Sequence, residues 1–420
     1  MAGRYATTTI RTALAATLAW AVTACSAAHA QEATPDMAQC QRAGATAADL
    51  APIIAACTRV IDLDATGQLR LTGVELRGML IFRGMAYRNS AQTQNAVRDF
   101  SRAIELDNQF ALAYGWRGMA LGDLGNSDAA LRDFDQAITL DPRMPALYVE
   151  RGARRRVVGR RDEAIADLDR AVQLQGNNAR AHFERAATLA EVQRFADAAD
   201  AFTRAIELSP TYLDAFIARA AVLAELGRDA EAIADASRVV DMAPSMPGSY
   251  VVRANVYIRL RHRDEAIADL AWTAGMPAQD PDGMRLRCLA MALLGRAANA
   301  LQVCEDAVRR EPQNAEGLRL RAYVHLRMGR LDAAFADYEA ALRLAPNVAP
   351  GLYGRGMVRQ RRGDTAGAAA DIAAARRIEP LGERRSIWLW LDYDPQSEAP
   401  LPNVPPLPPP PAPAAANRAK

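Results

Sequence analysis

An arginine followed by a small residue recurs every 34 positions through most of the chain. Arg83, Arg117, Arg151, Arg185, Arg219, Arg253, Arg287, Arg321 and Arg355 keep that spacing without a break, and Gly, Ala or Cys follows each of them. Twelve residues after the small residue stands an alanine in all nine units, from Ala96 to Ala368. Seven positions later the chain is small again, except at Val239 and Thr273. Six units close on proline: Pro142, Pro210, Pro244, Pro312, Pro346 and Pro380. No insertion breaks the register from Arg77 to Gly382. A period of this length marks a stacked array, in which one unit cannot bury its apolar face alone and neighbours share a continuous core.

Each unit divides into two runs of apolar residues at helical spacing. In 111–144 the runs are separated by Gly125-Asn126, a turn signal. The small residues mark where the paired helices come close, and the closing proline ends the second helix. On these residues the unit 111–144 resembles the tetratricopeptide repeat, with Gly118, Leu121, Ala130, Phe134, Ala137 and Pro142 at the matching places. The resemblance covers nine units: 77–110, 111–144, 145–178, 179–212, 213–246, 247–280, 281–314, 315–348 and 349–382. It implies an all-α, right-handed superhelical solenoid with an inner groove and caps at both ends. The unit 247–280 departs most, with Trp272, Thr273 and Gly275-Met276-Pro277 in place of the usual ending, and a local irregularity is expected there.

Seven units carry an aspartate 16 residues after the arginine: Asp99, Asp133, Asp167, Asp235, Asp269, Asp337 and Asp371; Ala201 and Val303 break the series. The arginines could form a row of ligand-binding groups. Because the acid travels with the arginine, a pair joining the two helices is the favoured reading. The cluster Arg154, Arg155, Arg156, Arg160 and Arg161 reads as a solvated face rather than an anion site.

The N-terminal residues 1–30 read as an export signal. Arg4 and Arg11 precede an apolar stretch over 13–24, which is short for a membrane span, and Ala28-His29-Ala30 offers a cleavage site. Val22-Thr23-Ala24-Cys25 also resembles a lipobox, which would lipidate Cys25 and give an outer-membrane lipoprotein instead of a periplasmic protein; an uncleaved anchor is the third reading. Four further cysteines, Cys40, Cys57, Cys288 and Cys304, suggest two disulfides in an exported chain, against buried thiols as the alternative. Cys40 and Cys57 flank the first helical segment and would staple an N-terminal helical cap over 31–76, in which 38–62 is helical and 64–76 a loop. Cys288 and Cys304 fall on the two helices of one unit. Residues 383–394 read as a C-terminal cap, whose patch Ile387-Trp388-Leu389-Trp390-Leu391 covers the last unit or meets a partner or membrane, and 395–420 is a proline-rich tail.

Chemistry is harder to find. The histidines His29, His182, His262 and His325 are scattered, and no metal, nucleophile-elbow or phosphate-loop pattern occurs. A net charge of +2 gives no footprint for nucleic acid. Neither a cofactor nor a catalytic residue is expected. The resemblance implies instead that the first helix of each pair lines a groove for a peptide or protein ligand. Its stripe would hold Ile81, Met85, Met119, Val149, Phe183, Ile217, Val251, Leu289, Tyr323, Tyr353 and Met357, flanked by Arg285, Arg319 and Arg327 and by Arg156, Glu191, Glu225, Arg259 and Arg361; the alternative is that several of these residues pack against neighbouring helices. An apolar stripe that grows basic toward the C-terminus suits a peptide carrying acidic residues. The expected function is a non-catalytic interaction scaffold in the cell envelope. An accessory subunit of a secretion, cell-wall or surface-polysaccharide assembly, and an enzyme with an unrecognised site, are the other readings. Membrane contact through a lipid on Cys25 is the one membrane partner expected of the chain body, and the sequence leaves oligomeric state open.

Overall fold

The structure, a computed structural model, describes residues 35–42, 49–260, 262–278 and 280–378. The expected signal with Cys25, the C-terminal patch and the proline-rich tail lie outside these residues. The described residues form twenty α-helices and no strand.

The chain divides into two compact units at Ala215/Phe216. The first holds α1 (Pro35–Cys40), α2 (Leu50–Ala65), α3 (Gly73–Asn89), α4 (Thr93–Leu106), α5 (Ala111–Asp123), α6 (Ser127–Leu140), α7 (Pro145–Val157), α8 (Arg161–Leu174), α9 (Ala179–Glu191), α10 (Phe195–Leu208) and the start of α11 (Leu213–Glu225). The second holds the rest of α11 with α12 (Asp229–Met242), α13 (Pro247–Arg259), α14 (Arg263–Gly275), α15 (Pro281–Leu293), α16 (Ala297–Arg310), α17 (Ala315–Arg327), α18 (Leu331–Leu344), α19 (Ala349–Arg361) and α20 (Thr365–Ile378). Within each, the first helix of a pair packs on the second, and successive first helices also touch.

The helices follow local chemistry. In α4, Ala96, Phe100, Ala103 and Ile104 fall on one buried face at three- and four-residue spacing. Asn126, Asn178, Asp280 and Asn314 cap helices by accepting from the backbone N–H three residues on. Thr72 and Glu75 form a capping box that starts α3 at Gly73, while α2 runs on to Ala65, so the expected loop 64–76 shrinks to 66–72. Cys57 lies inside α2 rather than at its edge, and pairs with Cys40 at the end of α1, Cα–Cα 4.8 Å.

The small residue after each ladder arginine fixes how closely a pair approaches. A Cβ on Gly84 would stand 2.5 Å from the Phe100 ring, and one on Gly152 would stand 2.8 Å from Leu168. Seven of the arginines make bidentate pairs with the expected aspartates, Nε and Nη2 each donating to one carboxylate oxygen. An example is Arg151 with Asp167, at 2.8 and 2.6 Å. Some also reach back 16 residues to the preceding second helix: Arg117 to Ser101 and Arg151 to Asp135. Each such arginine therefore ties three helices. Aromatic rings one turn earlier, Tyr114, Tyr148, Phe216 and Tyr250, stand 5.6–5.9 Å from the guanidinium carbons.

The two units that lack the aspartate solve the problem differently. Arg185 reverses direction and pairs with Asp169. Arg287 donates to the Ala274 carbonyl, and the disulfide Cys288–Cys304 joins α15 to α16 one residue further on. In the unit where a local irregularity was expected, α14 stops at Gly275, and Thr273 turns its hydroxyl back onto the Asp269 carbonyl.

A second set of charges joins first helices in the first unit. Arg180 of α9 pairs with Glu150 of α7, and Arg156 of α7 pairs with Glu184 and Glu191 of α9. Burial pushes the Glu150 carboxyl up, but the charge and hydrogen bonds of Arg180 outweigh it and hold the group below its ordinary value. Four of the clustered arginines are thus paired, not merely solvated: Arg155 with Asp167, Arg156 as above, Arg160 with Glu163 and Arg161 with Glu191.

Three outcomes are expected. Asp167→Ala removes the acid shared by Arg151 and Arg155, which keep only Asp135 and Glu163, and should lower stability in urea unfolding by about 1.5–3 kcal/mol; a triple change to apolar residues at the three positions should cost far less. Gln193 occupies the left-handed turn position (φ 63°) that glycine fills at 125, 159 and 227. Relief of roughly 1–2 kcal/mol of strain, less about 0.4–1 kcal/mol of added chain entropy, makes Gln193→Gly neutral to modestly stabilising in thermal melts. Glu150 is ionised in the fold with a lowered pKa, so its contribution is present above about 4.5 and fades as pH falls through the lower folded value. Glu150→Gln should be clearly less stable than wild type at pH 7, and the gap should close under acid.

Candidate functional site

The faces of the first helices turned toward one another form the surface on which a ligand groove was expected. The 34-residue register aligns the last residue of each first helix: Asn89, Asp123, Val157 and Glu191 in the first unit, and Glu225, Arg259, Leu293, Arg327 and Arg361 in the second. Several charged side chains near these helix ends contact the neighbouring first helix. Arg88 of α3 reaches Asp123 of α5, Arg259 of α13 reaches Glu225 of α11, and Arg361 of α19 donates to the Leu326 carbonyl of α17.

The apolar stripe is deeper than the sequence suggested. Ile81, Met119, Val149, Val251, Leu289, Tyr323 and Tyr353 are buried, as is Arg285. They fill the space between neighbouring helices, because first helices approach closely enough for these side chains to interlock; as binding residues they are corrected to core. Met85, Phe183, Ile217, Met357, Arg319 and Arg327 are half-buried and keep part of their surface. Phe183 is held by a stacked Tyr212 at 4.9 Å and a tilted Phe202 at 5.6 Å. Burial pushes the Tyr212 hydroxyl well above its ordinary pKa, so it stays a neutral donor.

Charge divides the two units. On the first, Arg88, Arg156 and Arg180 are matched by Asp123, Glu184, Glu191 and Glu150 in the pairs already described. On the second, the first helices carry Arg259, Arg319, Arg327 and Arg361 besides the buried Arg285, and the acids beside them are Glu225, Asp282, Glu316 and Glu311. Arg259 is closed by Glu225, and Arg285 by Asp282 and Glu311. Arg319 has Glu316 for its nearest acid, at 3.8 Å, beyond hydrogen-bonding reach. Sequence reasoning overlooked Glu150 and Glu184, which neutralise the first unit. Their signal is the offset of 28–30 residues to Arg156 and Arg180, visible only once adjacent first helices are aligned.

Among the described residues no group of three or more His, Cys, Asp or Glu is placed to hold a metal ion, and no helix is long and apolar enough to cross a membrane. His182 binds the Gly176 carbonyl through Nε2 at 3.0 Å, and burial lowers the pKa of His325 beside Asp337.

Models of the tetratricopeptide repeat match residues 78–110, 111–144, 149–212, 186–247, 251–315 and 315–348. No curated protein matches the chain. Solved structures that resemble it include MamA, 18% identical over 38% of this chain and 94% of that one, with a TM-score of 0.36. PilW, described as a widely conserved type IV pilus biogenesis factor, is 18% identical over 47% and 91%, TM-score 0.44. A tetratricopeptide repeat protein from Parabacteroides merdae is 16% identical over 68% and 100%, TM-score 0.40. Helix pairs at a constant 34-residue spacing and repeat models matched over well more than half of the sequence agree: the chain belongs to the tetratricopeptide repeat family.

Proposed function

We propose that the protein is a non-catalytic scaffold that holds an acidic segment of another protein along the first helices of its second unit. The observation that carries this reading is the charge difference between the two faces. In the first unit Arg88, Arg156 and Arg180 pair with carboxylates of neighbouring first helices, whereas in the second Arg319 has its nearest acid at 3.8 Å and Arg361 donates to a backbone carbonyl. Excess guanidinium on an ordered helical surface draws carboxylates and fixes their orientation through paired N–H donors. Partly exposed Met357 and Ile217 add adaptable apolar surface to the same helices. Steering by such a patch weakens as salt screens it.

We also infer that the protein works outside the cytoplasm, in the periplasm or on the outer membrane. The N-terminal signal pattern supports this, as do two cysteine pairs joined within the helical body, since disulfides persist in oxidising compartments.

The test is affinity capture from envelope extract with the full chain and with Arg327→Glu/Arg361→Glu. A protein retained by wild type and reduced at least tenfold with a variant of unchanged helicity supports the reading. Equal retention by both rejects the basic face as the binding surface.

A further inference from the structure

Arg285 and Arg319 occupy the same place in consecutive units, the fifth position of α15 and of α17. Their surroundings differ. Arg285 donates to Glu311 at 2.6 Å, and Asn314 donates to the same Glu311 oxygen at 3.0 Å. Thirty-four residues on, Glu311 is replaced by Ala345 and Asn314 by Val348. The aliphatic stem of Arg285 also covers Gly317, 3.8 Å from where a Cβ would stand. In the next unit, Gly351, where a Cβ would stand 3.1 Å from Leu342, lines a cavity of about 270 Å³ between α17, α18 and α19, walled by Ala341, Leu342, Ala345 and Val348 with Arg319 and Glu316 at its side. In the first unit the residue at the place of Gly351 is Leu147, which is buried and reaches across to Gly115 of the preceding first helix.

We infer that this cavity is a socket for an acidic residue of a partner protein that adjoins a leucine-sized apolar residue. The incoming carboxylate takes the position that the Glu311 carboxylate holds beside Arg285, and the apolar side chain fills the volume vacated at Gly351 and Ala345. Three features support that occupant. The Arg319 side chain is largely enclosed (16% exposed), and its one nearby acid, the half-exposed Glu316, stands at 3.8 Å, beyond hydrogen-bonding range. An enclosed guanidinium is much better satisfied by a carboxylate than by an apolar neighbour. Apolar space of about 150 Å³ suffices for a benzene-sized group, so the socket has room for one large side chain. The same chain shows the completed arrangement at Arg285, which makes the ligand chemistry an internal precedent.

This rests on the basic face being the binding surface, and the experiment separates the two. The probe is the peptide acetyl-Ser-Gly-Leu-Glu-Gly-Ser-amide, titrated into full-length protein carrying labelled Leu and Val methyl groups. The controls have Gln for Glu, or Ala for Leu. The expected result is saturable shifts at Leu342 and Val348 with the Leu-Glu peptide, and at least tenfold weaker binding of each control. Ala345→Glu should rebuild the internal pair with Arg319 and abolish binding while leaving the fold intact. Arg319→Gln should bind the Leu-Glu and Leu-Gln peptides alike. Gly351→Leu, which fills the socket as Leu147 does, should also block binding. The socket is overturned if no saturable shift occurs at Leu342 and Val348, if wild type does not distinguish Glu from Gln, or if a folded Ala345→Glu binds as wild type does. Loss of the socket together with a partner still lost by Arg327→Glu/Arg361→Glu would leave the wider basic face standing.

Discussion

The distance between the two helices of a pair, set at one point, governs the rest of the structure. Gly84 and Gly152 abut Phe100 and Leu168 so closely that a methyl group would collide with them. At that separation the alanines Ala96 and Ala164 are fully buried, and the arginine preceding the glycine falls within bidentate range of an aspartate on the facing helix. Larger residues would part the helices, leaving enclosed carboxylates without their partners, and a buried charge that loses its partner is far more costly than one never placed there. Close approach and ion pairing are therefore one requirement, met by two residue types.

The array tolerates exchange of the connector while keeping the approach. Arg185 pairs backward to Asp169, and the Arg287 unit substitutes a covalent bond. Both exceptions fall where Ala201 or Val303 removes the aspartate. Regularity thus belongs to the helix spacing, and the means of enforcing it varies by unit. Variation of the same kind on the first-helix face gives the two units different surfaces. Carboxylates at Glu150 and Glu184 close Arg156 and Arg180, and Ala345 stands beside Arg319 where Arg285 has a glutamate.

Much of this was legible in the sequence. The 34-residue spacing disclosed the helix pairs, and the offset of 16 disclosed the clamps, because both connect residues at fixed positions within one unit. Depth was not legible. Val149 and Met85 fall on the same helical face, yet Val149 is buried and Met85 is partly exposed, since burial depends on which side chain the adjacent unit supplies. The start of α3 was missed although Thr72 and Glu75 spell a capping box, because the repeat register drew the boundary at residue 77. The left-handed turn at Gln193 was hidden for the opposite reason, since its residue type gives no hint of the backbone that glycine marks elsewhere.

The covalent bond between Cys288 and Cys304 changes how the array would respond to mechanical load. Helix pairs held by arginine and aspartate can part under tension and lengthen the chain as they do so. Pulled in the same way, α15 and α16 remain tethered, and the segment between Cys288 and Cys304, which lie 16 positions apart, stays out of the extended contour. An oxidised protein would thus stretch by less than its residue count allows, and reduction would restore the missing length.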